Sequence, residues 1–464
     1  MARVRNERLA RLLEEVGWSR AQAVSAYNRV AAESGSGGHR ENACIGRSHM
    51  SMWVGGTQPS GAAPLILAQA LSRRLKRVVA PEELGFVSAA LQTPGALDWR
   101  VDPLTALTYL GRSDLDADRR KMLTGAVYSA VGLAIPDDEW WVTMARQPDK
   151  QSSGGQRVGQ SDVRTVQELT AAFSAMDQQR GGGHGRTALV QYLHSDVRDF
   201  LHGSFHSDQV RRGMFSAAAE LAYLSGWMAF DSGEHSTAQR YFVLAVKLAA
   251  QADDPPLSGH VLRAMAHQSL DLGFADRGLE LATASLRGAR YASATPRERA
   301  LLGVIHARCL AATGRRGQAT KALLRAEDDL ASAGDSAPEP NRTFFFGEAA
   351  LAHETACTLR DLGDRQGAIR EFRHSSRTRG AAFRRTHAVT LGYLGATQIV
   401  AGGVEEACAT WNGLLESMED GIYSGRARQA VVDMRRLLSP YRLRNIPAVA
   451  VVDARANAYL AQVH

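Results

Sequence analysis

Apolar positions along the chain recur at intervals of three and four residues, and strict alternation is scarce, so the pattern predicts helices almost throughout. The clearest stretch begins near residue 215, where helical segments pair around a glycine. Gly233, Gly273, Gly314, Gly363 and Gly402 are separated by 40, 41, 49 and 39 residues. Five positions after each glycine stands a small residue (Ala238, Gly278, Ala319, Ala368, Ala407), and nine after each an apolar one (Phe242, Ala282, Leu323, Phe372, Trp411). A glycine ends one helix, a small side chain lets two helices approach, and a larger one fills the next gap, which is what a stacked helical pair requires. The predicted fold is all-α, with an N-terminal helical domain followed by a helical-repeat superhelix. An earlier pair, VQELTAAFSAMDQQRGGGHGRTALVQYLHSDVRDFL, would turn at GGGHG and extend the array towards residue 165.

Three regions separate by pattern: residues 1–88, with several short helical segments; 89–160, a helical connector ending in the polar stretch RQPDKQSSGGQRVGQSD, which reads as a flexible linker; and 161–464, the repeat domain. The bias to Ala, Leu, Arg and Gly favours helix over strand. At 464 residues the chain is long enough for two or three cores.

Charge sharpens the picture of the first region. The chain carries a formal +7, and residues 1–86 hold twelve Lys/Arg against seven Asp/Glu, so a net +5 sits in less than a fifth of the length. That asymmetry suggests a polyanionic partner. Within it, NERLARLLEEVGWSRAQAVSAYNRVA gives a first helix, a stop at Gly17, an N-cap at Ser19 and a second helix from about Arg20. IGRSHMSMWVGGTQPSGAAPLILAQALSRRLKR then gives a short helix from about Arg47 to Val54, a Gly-Gly exit and another amphipathic helix.

The segment WVGG at Trp53 to Gly56, followed by TQPSG and LAQALSRRL, resembles the lambda-repressor-like (XRE-type) helix-turn-helix family, in which a recognition helix ends at such an exit. The resemblance implies that Trp53 packs inward and that Arg47, Ser48 and His49, with Ser51 and Met52 one turn later, face the major groove of double-stranded DNA. Arg20 at the start of the second helix, and Thr57 and Gln58 at the exit, belong to the same expected DNA-binding set. The chemistry suits these positions: Arg grips a guanine edge bidentately, Ser and His reach bases or phosphates, and Met touches a thymine methyl, while Thr57 and Gln58 would set register on phosphates. One departure stands out. Ser19 and Gly46 are 27 residues apart, where the family has about nine, leaving an insertion over 31–45.

The segments WMAFDSGEHSTAQRYFVLAV, CLAATGRRGQATKALLRAE and TLRDLGDRQGAIREFRHS resemble tetratricopeptide repeats, over roughly 215–420. The whole arrangement is similar to large actinobacterial regulators, among them pleiotropic negative regulators of sporulation and antibiotic production in Streptomyces-type bacteria. Its domain order is also similar to the peptide-sensing quorum regulators of Firmicutes. What the resemblance implies is a cytoplasmic, homodimeric repressor, with a peptide or small-molecule effector in the repeat groove. The competing expectation is a protein-interaction adaptor built on tetratricopeptide-type repeats, without DNA binding.

Other chemistries find no support in the sequence. It carries no P-loop, G-x-S-x-G, H-E-x-x-H or dinucleotide fingerprint, so neither enzymatic activity nor a cofactor is expected. GGGHGRT lacks the lysine and preceding strand of a phosphate loop. His184 reads as a turn residue; Cys44, Cys309, Cys357 and Cys408 lie far apart, and His194, His202 and His206 lack partners at ligand spacing, so a metal site and a disulfide framework are both unexpected. RRLKR at 73–77 reads as cations complementing a helix C-terminus. The N-terminus is charged and amphipathic, and no apolar run approaches the ~20 residues of a membrane span.

Overall fold

A computed structural model describes residues 5–34, 44–59, 63–75, 79, 83–86, 97–116, 120, 128, 135–146, 156–334 and 339–462. It is all-α. Four helices form the N-terminal domain: α1 (Glu7–Glu15), α2 (Arg20–Ser34), α3 (Arg47–Val54) and α4 (Ala63–Leu75). Their apolar faces meet in a core of their own around Leu9, Leu13, Tyr27, Met50, Trp53, Leu67 and Leu71. The Asn6 side chain accepts the N–H of Leu9 at the start of α1, and Ser19 and Gln22 cap α2 reciprocally, side chain to backbone, at 3.3 and 2.8 Å.

Helices α5 (Pro103–Leu115) and α6 (Asp138–Ala145) lead into the array. Rather than standing apart, α5 packs against the first repeat helices and contributes Ala106, Leu107 and Leu110 to the main core. Asp114 at its end accepts bonds from Arg186 (2.6 Å) and the Tyr241 hydroxyl (2.8 Å), all three buried. Of the polar stretch 146–162, residues 147–155 lie outside the described part. The remainder is ordered: Arg157–Val158 forms a two-residue parallel pairing with Ser204–Phe205, and α7 (Gln160–Arg180) begins directly after it.

The GGGHG segment turns as expected, with Gly181 at φ +100° and Gly185 at φ +82°, joining α7 to α8 (Arg186–Tyr192). Five helical pairs follow: α9 (Asp208–Asp231) with α10 (His235–Gln251), α11 (Pro255–Asp271) with α12 (Ala275–Ser285), α13 (Pro296–Ala312) with α14 (Arg316–Ala331), α15 (Glu348–Asp361) with α16 (Arg365–Thr378), and α17 (Arg384–Val400) with α18 (Val404–Glu419). A last pair, α19 (Gly425–Leu438) and α20 (Pro447–Gln462), ends the array. The repeat phase read from the sequence is the phase of the fold. All five turn glycines have φ between +79° and +96°, the left-handed region that only glycine enters at little cost. The small residues five positions on and the apolar ones nine positions on are all buried. Helix starts are set by Asp254-Pro255 and Thr295-Pro296, where the side chain caps and proline occupies the first turn.

The array does not remain an open spiral. α7 packs against both α9 and α17, so the first and fifth pairs of the superhelix meet. Arg385 of α17, fully buried, donates from Nη2 to Asp177 Oδ2 of α7 at 3.0 Å and from Nη1 to Asp231 Oδ1 of α9 at 3.3 Å. Ser424 donates to the same Asp231 carboxylate at 3.0 Å, and the Tyr423 N–H to the Arg180 carbonyl at 2.6 Å. Among the described residues, no helix is long and apolar enough to cross a membrane.

Candidate nucleic-acid interface and ligand cavity

The short helix α3 is held by one face only. Met50, Trp53 and Val54 are buried, and the Trp53 ring, 5% exposed, packs against Tyr27 (centroids 5.7 Å apart) and, edge on, Phe86 (6.4 Å). The opposite face is turned outward: Arg47, Ser48, His49 and Met52 are exposed, Met52 at 42%, and Ser51 is half-buried. Gly46 has no side chain with which to cap α3. The cap is made in reverse by His49, whose Nδ1 accepts the Gly46 N–H at 3.3 Å. Arg20, exposed at the start of α2, donates to Ser51 Oγ at 3.0 Å, which joins the two helices across the same outer face.

The exit of α3 turns at Gly56 (φ +96°), with the Thr57 N–H donating to the Met52 carbonyl at 2.9 Å. The hydroxyl of Thr57 is buried, while Gln58 is exposed and its amide reaches the Gly85 carbonyl at 3.4 Å. Seven of the eight residues singled out in the sequence therefore carry groups at the surface, six of them around α3 or its exit and Arg20 beside it. Residues 35–43 of the insertion lie outside the described part. The chain re-enters at Ile45 through two bonds with the Asn28 side chain, at 2.8 and 3.0 Å, which locks α3 to α2 despite the longer spacing. In RRLKR, Arg74 is exposed, whereas the Arg73 guanidinium lies 5.8 Å from the centre of the Phe274 ring on the repeat domain. Lys76 and Arg77 lie outside the described residues.

A second site arises from closure of the superhelix. Its interior holds a cavity with roughly 1010 Å³ of empty space, its open mouth included, lined from α7, α9, α11, α13, α15, α17 and the segment 341–346. That segment, a 3-10 turn at Asn341–Thr343 followed by three phenylalanines, accounts for the long 49-residue interval between Gly314 and Gly363. It sends Arg342, Phe345 and Phe346 inward.

The wall is dense in buried ions. Arg342 bridges Glu298 (2.7 Å) and Glu220 (2.9 Å), and Arg308, just behind the wall, bridges Asp271 (3.0 Å) and Glu354 (3.2 Å). Arg426 lies 3.6 Å from Asp271. Burial alone would raise Glu298, but bonds from His260 and Arg342 hold it down at about 2; burial likewise opposes, and Arg308 overcomes, in bringing Glu354 to about 2. Burial lowers His260 to about 4 and His353 to about 3, keeping both neutral. Asp177 moves the other way, pushed up to about 6 by burial and by the neighbouring Asp231 against the pull of Arg385. None of these cavity residues was identified from the sequence. The available signals were the extra eight to ten residues of the Gly314–Gly363 interval and the arginines inside otherwise apolar repeat helices.

Among the described residues, no cluster of three or more His, Cys, Asp or Glu could hold a metal ion. The four cysteines are free thiols, Cys309, Cys357 and Cys408 of them buried.

Residues 9–87, which span α1–α4, match the family described as the SP15 N-terminal domain. No curated protein matches the chain. A solved structure of a monomeric mutant of IFIT1 with the capped RNA m7Gppp-AAAA aligns over 99% of this chain and 94% of that one, at 13% identity and a TM-score of 0.33.

Proposed function

We propose that the protein is a sequence-specific DNA-binding transcription regulator, with α3 as its recognition helix and the helical array as its sensing and dimerising part. The observation that carries this reading is the division of α3. Three apolar residues anchor it, while Arg47, Ser48, His49 and Met52, a set of side chains able to read base edges, stand exposed and outside the hydrophobic core of the described residues. A helix kept only for packing would not need an exposed Arg, Ser and Met on its first turns. Two copies dimerised through the array would set two such helices about one DNA turn apart. By resemblance to the actinobacterial regulators, the targets would be developmental or secondary-metabolite genes and the effect repression.

Selection of bound duplexes from a random-sequence library with the purified full chain tests the reading. An enriched motif, with binding that weakens steeply as salt rises, is the expected result. No enrichment together with intact folding would instead favour the adaptor reading, to which a helical-repeat architecture is equally suited.

A further inference from the structure

Among the described residues, two arginines in the cavity wall form no ion pair with a carboxylate. Arg263, on α11, is 2% exposed, yet its partners are uncharged: Nη2 donates to the Tyr223 hydroxyl at 3.0 Å and faces His260 Nε2 at 3.3 Å, and Nε has no hydrogen-bond partner. Its guanidinium lies 5.5 Å from the centre of the Trp227 ring. Arg379, half-buried just past the end of α16, bonds the Thr386 hydroxyl (3.1 Å), the Ala349 carbonyl (2.9 Å) and the Ser375 hydroxyl (2.8 Å), and its Nε has no partner among the described residues.

Among the described residues neither forms an ion pair, although Arg308, Arg342, Arg385 and Arg426 all do. The carboxylates of the wall are already engaged: Asp177 by Arg385, Glu220 by Arg342 and Glu354 by Arg308. A guanidinium withdrawn from water without a counter-charge is costly, and a fold that keeps Arg263 buried and Arg379 half-buried in one cavity, neither ion-paired among the described residues, has room for a counter-charge from elsewhere. Burial pushes Arg379 down to about 10, with Arg385 nearby acting in the same sense and the Glu354 carboxylate acting against both.

We infer that the cavity binds a small organic anion: a carboxylate or phosphate answered by Arg263 and Arg379, on an apolar or aromatic body lying against Trp227, Phe345 and Leu301. An Arg fork matches either oxyanion. The inference rests on the reading of the array as the sensing part of a regulator, and names the class of effector it would sense.

The test uses the full chain without DNA. Isothermal titration calorimetry is run with three probes of one shape: 1-naphthoate, 1-naphthyl phosphate and the neutral 1-naphthylmethanol. At least one anion is expected to bind at one site per chain, about tenfold or more tighter than the alcohol, and the tighter of the two distinguishes a carboxylate from a phosphate site. Arg263→Gln is expected to lose about tenfold or more of the anion affinity while keeping that for the alcohol, and not to lower the ligand-free melting temperature, since it removes an unanswered charge. Arg379→Gln repeats the test should the first variant fail to fold. Equal binding of anions and alcohol, no binding of either anion at millimolar concentration, or anion affinity unchanged in a folded arginine variant each overturns the inference. Because DNA is absent, these outcomes leave the duplex-selection result untouched, and a failed selection leaves anion binding intact.

Discussion

Arg385 and Asp177 stand 208 residues apart in the chain and 3.0 Å apart in the fold, guanidinium Nη2 to carboxylate Oδ2, with both side chains buried. A second carboxylate, Asp231, comes to 3.3 Å of the same arginine from another helix. One side chain on α17 thereby ties α7 and α9 to the far part of the array and, with the bonds from Ser424 and Tyr423, closes the groove into a cavity.

Removing that tie should be severe. Arg385→Leu leaves two buried carboxylates facing each other without the cation that bonds both, and breaking a buried pair by deleting one partner typically costs about 3–5 kcal/mol. Chemical denaturation should show a loss in this range, and the Asp177→Asn substitution made together with it should recover part of that loss. A loss below about 1 kcal/mol would mean that the contact does not hold the array closed.

Acid should destabilise the repeat domain in a defined window. His260 and His353, lowered from 6.5 to about 4 and about 3, favour the fold while neutral; their contribution is complete above pH 6.5 and is lost as pH falls towards those values. Glu298 and Glu354, lowered from 4.5 to about 2, contribute fully above pH 4.5 and lose their contribution as pH falls towards 2. Asp177 has the opposite sign: raised from 3.8 to about 6, its contribution is complete below 3.8 and is lost as pH rises through 6. The histidines dominate between pH 6.5 and 4.5, at of order 2 kcal/mol each. Melting temperature should therefore fall from pH 7 to 4.5, and His353→Gln should flatten the slope; an unchanged slope would assign the transition to other groups.

Two glycines separate backbone strain from packing. Gly363 sits at φ +89° with open space where a Cβ would stand, so Gly363→Ala should cost only the conformational penalty of about 1–2 kcal/mol. Gly395 lies in the middle of α17, where alanine is the better helix former, but a Cβ there would come within 2.4 Å of the Trp411 indole. Gly395→Ala should thus destabilise through overpacking, by about 1–3 kcal/mol or more, and Trp411→Phe in the same chain should relieve part of it. A stabilised Gly395→Ala protein would show that α17 and α18 do not approach so closely.

Legibility in the sequence followed the range of the interactions. The repeat phase was readable because each turn glycine, small residue and filler lies within about ten positions of the others, and local spacing is what stacking of neighbours demands. Helix α3 was readable because its anchor Trp53 and its exit Gly55-Gly56 are adjacent. The ordering of Arg157–Val158 and the docking of α5 were not, since the stretch before the first is as polar as a linker and the second depends on Asp114 meeting Arg186 and Tyr241 from distant elements. Closure by Arg385 was hidden for the same reason. Arg263 and Arg385 look in the sequence like any other repeat arginine, and only the folded chain separates the one with no carboxylate from the one with two.

If an anion in the cavity changes the spacing of two recognition helices, coupling must be reciprocal, because a ligand shifts an equilibrium only by its differential affinity for the two states. Operator DNA should then change the affinity of the full chain for the tighter naphthyl anion by the same factor as the anion changes DNA affinity. Equal anion affinity with and without DNA would separate the two sites.

The outward face of α3 carries the proposed recognition of DNA. The direct measurement is the affinity of the full chain for its selected duplex, with and without the paired substitution Arg47→Ala and Ser48→Ala, both exposed and outside the N-terminal core. A loss of about 1–3 kcal/mol or more for the selected sequence, with unchanged melting temperature and much smaller change on an unrelated duplex, is the result expected. Undiminished affinity for the selected duplex in the folded double variant would contradict it.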